Sequence, residues 1–244
     1  MQLTTALLKN TVSKLNYQWY NDRPNIIGIR TSMQVPDVFN DFLCVAWTQS
    51  EKMPATLSVK QQQQWLNMWG YRDSKNRSLT EDGVPGANTE FALNAYRQSV
   101  EQERMNTYVI TTEPGIYYQK QPMSPKGCAV IKPGQWTNAY SIGTHVKPDH
   151  AALVQTGNIT VYRDNDKDGI AEATSAEESG LFGCNIHGAV RNTKTNIIGM
   201  WSAGCQVFTN WSDKEEFIGL CANYKTKTNN RFTYTLVDEK DLQA

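Results

Sequence analysis

The apolar spacing of this chain switches from strand period to helix period and back, so it folds as mixed elements rather than as one repeated unit. Before the switch, Ile26 to Arg30 and Phe42 to Trp47 read as strands, behind an N-terminal helix with Leu8, Val12 and Leu15 on one face. Between residues 58 and 100, Val59, Gln62, Leu66 and Trp69 recur at helical spacing, and Gly70 stands where a helix C-terminus places it. A polar loop with Asp82-Gly83 and Val84-Pro85-Gly86 leads to a second helix, begun at Asn88 or Thr89 and carrying Ala92, Tyr96 and Val100. After Asn106 the pattern returns to strands, at Tyr108 to Thr112, Ile116 to Gln119 and Cys128 to Ile131. Ala152 to Gln155 and Ile159 to Arg163 flank Thr156-Gly157-Asn158 as the arms of a hairpin would. Ser212 and Glu215 have capping-box spacing for a helix bearing Phe217, Leu220, Cys221 and Tyr224. Phe232, Tyr234 and Leu236 alternate in a final strand.

A length of 244 residues suits one large domain or two smaller ones. Lysine plus arginine and aspartate plus glutamate each number 24, and this zero net charge argues against a general nucleic-acid binder. The cysteines, Cys44, Cys128, Cys184, Cys205 and Cys221, include no Cys-x-x-Cys pair, so a zinc ribbon is not expected. Their odd number suits free thiols in a chain made in a reducing compartment. Residues 1–16 lack the continuous apolar stretch of a secretory signal, and no run is long enough to span a bilayer, so no membrane insertion is expected.

The chemistry-bearing residues concentrate in two short motifs. Asn185-Ile186-His187-Gly188 precedes Trp201-Ser202-Ala203-Gly204-Cys205-Gln206, with His187 and Cys205 18 positions apart. A free thiol of pKa about 8.5 is mostly protonated at neutral pH and needs a base to become a nucleophile. Imidazole is its natural partner. Gly204 lets the backbone approach closely, so that amides near Cys205 point at a developing oxyanion. On spacing alone, a buried thiol and a structural histidine explain these residues more simply. Asp164-Asn165-Asp166-Lys167-Asp168-Gly169 has the opening of a calcium loop, with Asp164, Asp166, Asp168 and Glu172 as candidate ligands. Its twelfth position is Ser175 rather than Glu, which favours a plain acidic turn. Calcium there would brace a loop, and the chemistry requires no cofactor. His145, His150 and His187 with Cys205 offer a zinc alternative, without a His-Glu-x-x-His motif.

The pattern His-Gly followed by Ser-x-Gly-Cys resembles the active-site signature of the L,D-transpeptidase catalytic domain. The resemblance implies that His187 is the base, that Cys205 is the acylated nucleophile and that the amides of Gly204 and Cys205 form the oxyanion hole. It also implies that the Ser202 hydroxyl holds the loop, and it makes Trp201, Gln206 and Gly188 candidate substrate-binding residues. The chain departs from the family pattern at Ala203, where a second histidine is usual, and at Gln206-Val207, where an Asn or Arg is usual. This variant motif occurs with Ile27-Gly28-Ile29-Arg30, Phe39-Asn40-Asp41 and Thr112-Glu113-Pro114-Gly115, and it is similar to a branch found in phage and prophage proteins. The likeness spans residues 25 to 47 and 108 to 237. Residues 57 to 100 resemble a small peptidoglycan-binding domain through Gln63, Leu66, Gly70-Tyr71, Asp82-Gly83, Gly86, Thr89, Ala92-Leu93 and Tyr96. A helical hairpin with unrelated glycines is the plainer alternative.

Together these resemblances imply an α+β chain. A mainly β, L,D-transpeptidase-like catalytic domain, expected as a β-sandwich with flanking helices, would occupy 1–54 and 106–244, with a helical peptidoglycan-binding-like domain inserted at 55–105. The implied activity is that of an endolysin-like cysteine peptidase cleaving stem-peptide or cross-link bonds of bacterial peptidoglycan through a thioester. The missing signal and the departures around Cys205 lean toward degradation of the wall. They imply synthesis in the cytoplasm and phage-driven release to the periplasmic wall. A cross-link-forming L,D-transpeptidase and a non-catalytic wall-binding protein are the alternatives.

Overall fold

The structure, a computed structural model, describes residues 2–31, 35–49, 51–99, 102–146 and 149–242. The first half of the chain contains α1 (Thr5–Lys14), β1 (Asn25–Arg30), β2 (Asp41–Thr48), α2 (Val59–Met68), α3 (Ala87–Ser99), β3 (Glu103–Thr111) and α4 (Ile116–Lys120). The second half contains β4 (Cys128–Ile131), β5 (Gly134–Val146), β6 (Asp149–Gln155), β7 (Ile159–Asp164), β8 (Glu177–Gly180), β9 (Ile186–Gly188), β10 (Gln206–Phe208), α5 (Trp211–Tyr224) and β11 (Phe232–Asp238).

The fold is α+β and mainly β, as expected. In place of a two-sheet sandwich, eight strands close into a barrel in the order β1-β11-β5-β6-β9-β10-β3-β2, and β4-β7-β8 form a separate small sheet. The pairs β1–β11 and β9–β10 are parallel, and the other barrel pairs are antiparallel. Alternation along the strands explains their continuous apolar runs. Ile26, Leu43, Val45, Tyr234 and Leu236 belong to the main core, whereas Ile27, Ile29, Cys44 and Val237 pack beneath Leu7, Leu8 and Val12 of α1. Helix α1 is capped by Thr4, whose Oγ1 accepts from Leu7 N at 3.2 Å. Gly28 is required where it stands, because a Cβ there would lie 2.0 Å from the Tyr234 hydroxyl.

Three local expectations are corrected. Ile116 to Gln119, read as a strand, is helix α4: Gly115 is its N-cap, and Asp37 Oδ1 accepts from Ile116 N at 3.1 Å. The residues flanking Thr156-Gly157-Asn158 do not pair as a hairpin. Strand β6 pairs with β5 and β9, and β7 with β4 and β8. The turn is instead pinned to β5, with Thr156 N and Gly157 N both donating to Ala139 O. Helix α5 begins ahead of the Ser212 position, with Asn210 as its N-cap. Val100 lies outside the described residues.

The helical unit forms as expected, with a Ser58–Gln61 capping box on α2 and Gly70 at φ +71° just past its end. It shares a core with the barrel rather than standing apart. Trp69 meets Tyr224 of α5 edge-on at 5.8 Å, and Arg104 of β3 lies over the Trp47 and Tyr71 rings while donating to the carbonyls of Trp69 and Gly70. Strand β3 already pairs at Glu103 with Thr48, inside the range expected for the insertion. Among the described residues no helix is long and apolar enough to cross a membrane.

Candidate active site

Parallel pairing of β9 and β10 brings the two motifs together. His187, in the middle of β9, is in register with Val207, two positions after Cys205. His187 and Cys205 line one cavity of about 550 Å3, together with His145, Trp201 and Ala203. Cys205 is the one partly exposed cysteine among buried thiols, Cys44, Cys128, Cys184 and Cys221.

The His187 side chain is 1% exposed and its tautomer follows from its neighbours. Nδ1 lies 2.9 Å from Gly188 O, and a carbonyl only accepts, so Nδ1 carries the proton. Nε2 then holds the lone pair, and no protein group hydrogen-bonds to it. Burial, and after it the neighbouring His145, pushes the His187 pKa down to about 3, so the ring is neutral at physiological pH. Desolvation pushes the Cys205 thiol up to about 11. The resting pair is therefore neutral imidazole and neutral thiol, and Sγ–H points to Gly183 O at 3.5 Å.

The loop before β10 is held by Ser202. Its hydroxyl donates to Cys205 O at 2.8 Å and accepts from Gly204 N at 3.2 Å, while Ser202 O accepts from Gly115 N at 2.9 Å. The Gly204 amide, expected in an oxyanion hole, is thus engaged with Ser202. Gly204 has φ +128°, and a Cβ there would meet Ala129 O at 2.5 Å and Cys184 Sγ at 3.2 Å, so a side chain is excluded twice over. The upstream pieces singled out in the sequence meet behind this loop. The Asp41 carboxylate accepts from Thr31 N, Thr112 N and Thr112 Oγ1 at 2.7 to 2.8 Å, and Arg30 donates to Thr112 O and Oγ1, both at 3.1 Å.

The substrate-binding candidates separate. Trp201 lines the cavity. Gln206 is buried and bonds within the barrel: Oε1 accepts from the Tyr234 hydroxyl at 2.6 Å and Nε2 donates to Thr112 O at 3.5 Å. Gly188 packs against Trp211 and Lys214, which a Cβ would meet at 3.0 and 3.3 Å. The contacts of both positions in the structure are with the scaffold.

The acidic loop holds its own backbone. Asp166 Oδ1 accepts from Asp168 N, Asp168 Oδ1 from Ile170 N, and Asp164 Oδ2 from Glu172 N. Among the described residues no group of three or more His, Cys, Asp or Glu is arranged to hold a metal ion. The three histidines come together, each with one ring nitrogen hydrogen-bonded to the protein. Sequence reasoning placed His145 only among the ligands of a zinc alternative and gave the Asn185 side chain no role. The signal it had was Asn185 two residues before His187. A larger, open polar groove of about 1400 Å3 runs between the helical unit and α5, lined by Arg72, Arg191, Trp211 and Glu216, and does not reach Cys205.

No protein-family model, curated protein or solved structure matches the chain.

Proposed function

We propose that this chain is a cysteine hydrolase of peptidoglycan stem peptides, with Cys205 as nucleophile and His187 as general base. The observation that carries it is the unpartnered Nε2 of a neutral, buried His187 in the same cavity as the partly exposed Cys205. A buried nitrogen without a partner costs about 1–3 kcal/mol, and a base awaiting a substrate proton accounts for that cost.

With the thiol up near 11, the thiolate is scarce at neutral pH, so proton removal accompanies attack. Sγ turns from Gly183 O toward Nε2 and attacks the peptide carbonyl carbon. Nε2 takes the thiol proton and returns it to the departing amine as the C–N bond breaks. A water then attacks the thioester, His187 takes its proton, and the thiol is regenerated as the free acid leaves. With Gly204 N bound to Ser202, the Cys205 amide is the oxyanion donor assigned in this mechanism. The choice of substrate rests on the sequence resemblances, and the helical unit would hold the enzyme on its polymer.

The test is digestion of isolated peptidoglycan by the full chain beside Cys205→Ala, with soluble fragments read by mass spectrometry. Cleaved stem peptides from the parent alone support the hydrolase. Exchanged or newly cross-linked peptides make it a transpeptidase. Equal release from both proteins rejects Cys205 as the nucleophile, and binding without products from either leaves a wall-binding protein.

A further inference from the structure

The geometry assigns His145 a role as positioning residue for the base: its ring, anchored through Nδ1 to Asn185, lies flat on the His187 imidazole and sets the plane in which that ring presents Nε2. The role rests on the Cys205–His187 reading above.

The protonation of His145 follows from a donor that cannot be reversed. The main-chain N–H of Gln155, at the end of β6, donates to Asn185 Oδ1 at 2.9 Å. That bond orients the amide, so its NH2 group faces His145 Nδ1, at 3.0 Å. An amide NH2 has no lone pair to offer, so His145 Nδ1 accepts and its proton sits on Nε2. His187 has the opposite tautomer, with its proton on Nδ1. A backbone amide on one strand thus sets the state of a ring on the next.

The two rings are 3.8 Å apart between centroids and 12° from parallel. That contact covers one face of His187 and fixes its plane, while Gly188 O fixes its tautomer. His150 makes a different contact. It sits 5.8 Å from His187 at 53°, accepts from Gly188 N through Nε2 at 3.3 Å, and rests against Trp211. The flat support therefore belongs to His145. It also faces the cavity that holds Cys205, where a substrate would pass it.

The same stack discourages protonation of the base. The titratable groups around His187 are His145 from β5, His150 from β6, Lys214 from α5 and Cys205 from the loop before β10. The Lys214 ammonium disfavours a second positive charge, the His145 ring shields one face of His187 from water, and a proton on either of the two stacked rings repels a proton on the other, with His145 the largest influence after burial itself. Replacing His145 by a small side chain loosens the plane and lets His187 take up a proton at higher pH.

The experiment has two arms. In the first, long-range 15N–1H NMR of the histidine-labelled full chain, without substrate, reads the ring tautomers. Protonated Nε2 on His145 and protonated Nδ1 on His187 are expected, and the reverse tautomer on His145 overturns the assignment. In the second arm, release of fragments from isolated peptidoglycan is followed against pH for His145→Ala, His145→Phe and Cys205→Ala. His145→Ala is expected to lower kcat on the order of tenfold with KM little changed. Its acid limb should move up by about one pH unit. His145→Phe, which restores a flat ring, is expected to recover most of kcat. Parental kcat and an unmoved acid limb in His145→Ala overturn the role. Should that variant fail to fold, a His145→Phe variant that folds yet is as slow as loss of the base would overturn it equally. Undiminished release by Cys205→Ala identifies failure of the catalytic reading itself, separately from the NMR result.

Discussion

The Ser202 hydroxyl lies 2.8 Å from the carbonyl oxygen of Cys205, and through the same oxygen it accepts from Gly204 N. One buried side chain thereby holds the peptide units on both sides of the nucleophile's own amide. Ser202→Ala removes both bonds and leaves a buried amide and carbonyl unpaired, at a cost of about 1–3 kcal/mol. A lower melting temperature and a lower kcat are expected, with Ser202→Thr retaining more of each. Thermal melting and peptidoglycan digestion measure the two effects.

Alkylation of Cys205 should report a neutral thiol. Desolvation holds its pKa up at about 11, and His187, down at about 3, is not an imidazolium partner. The rate with iodoacetamide should climb about tenfold per pH unit above neutrality. The buried Cys44, Cys128, Cys184 and Cys221 should stay unmodified in the folded protein. A flat, fast rate between about pH 5 and 8 would instead indicate a thiolate–imidazolium pair.

Glu113 makes stability depend on pH. Burial, and then the charge of Asp41, pushes its carboxyl up to about 7, although Arg30 lies 3.8 Å away. A carboxyl whose folded pKa exceeds its unfolded value of 4.5 contributes most below that value, and the contribution is lost as pH rises through 7. Glu113→Gln should therefore stabilise the protein by about 1–2 kcal/mol above pH 7 and give no gain near pH 4. Denaturant titrations at the two pH values check the sign.

Gln63 organises the loop of the helical unit. Its Oε1 accepts from Gly83 N at 2.8 Å, and Nε2 donates to Asp82 Oδ1, Val84 O and Thr89 Oγ1 within 3.1 Å. Gln63→Leu strands these partners and should cost about 2–4 kcal/mol locally. Hydrogen exchange should rise across residues 79 to 86, and retention on isolated peptidoglycan should fall, while the alkylation profile of Cys205 stays that of the parent.

That Cys205 and His187 share a cavity was legible because the two motifs that carry them lie on stretches that each include a glycine. The strands around them were less so. Strand β5 mixes Asn138, Gly143 and Thr144 with a half-buried Trp136 and a buried Tyr140 and reads as no clean alternation, so His145 entered the sequence reading only as a ligand of the zinc alternative and not beside the base. Ile116 to Gln119 has strand-forming residues, but the distant carboxylate of Asp37 turns its first amide into a helix start. The Thr156-Gly157-Asn158 turn looks like any hairpin turn. Whether its arms pair depends on β5, 17 residues earlier at Ala139 O, and no local pattern carries that information. The hydrogen bonds of Gln206 were hidden for the same reason, since its partners Tyr234 and Thr112 come from far along the chain.

The most direct test of the central claim is the intact mass of the protein after brief incubation with soluble stem-peptide fragments of peptidoglycan and an acid quench, with the adduct mapped by peptide digestion. An acyl group on Cys205 is expected in the parent, with none in Cys205→Ala and a strongly reduced amount in His187→Ala. Release of cleaved peptides by a parent protein whose Cys205 carries no adduct under any quench time, and undiminished release by Cys205→Ala, would contradict it.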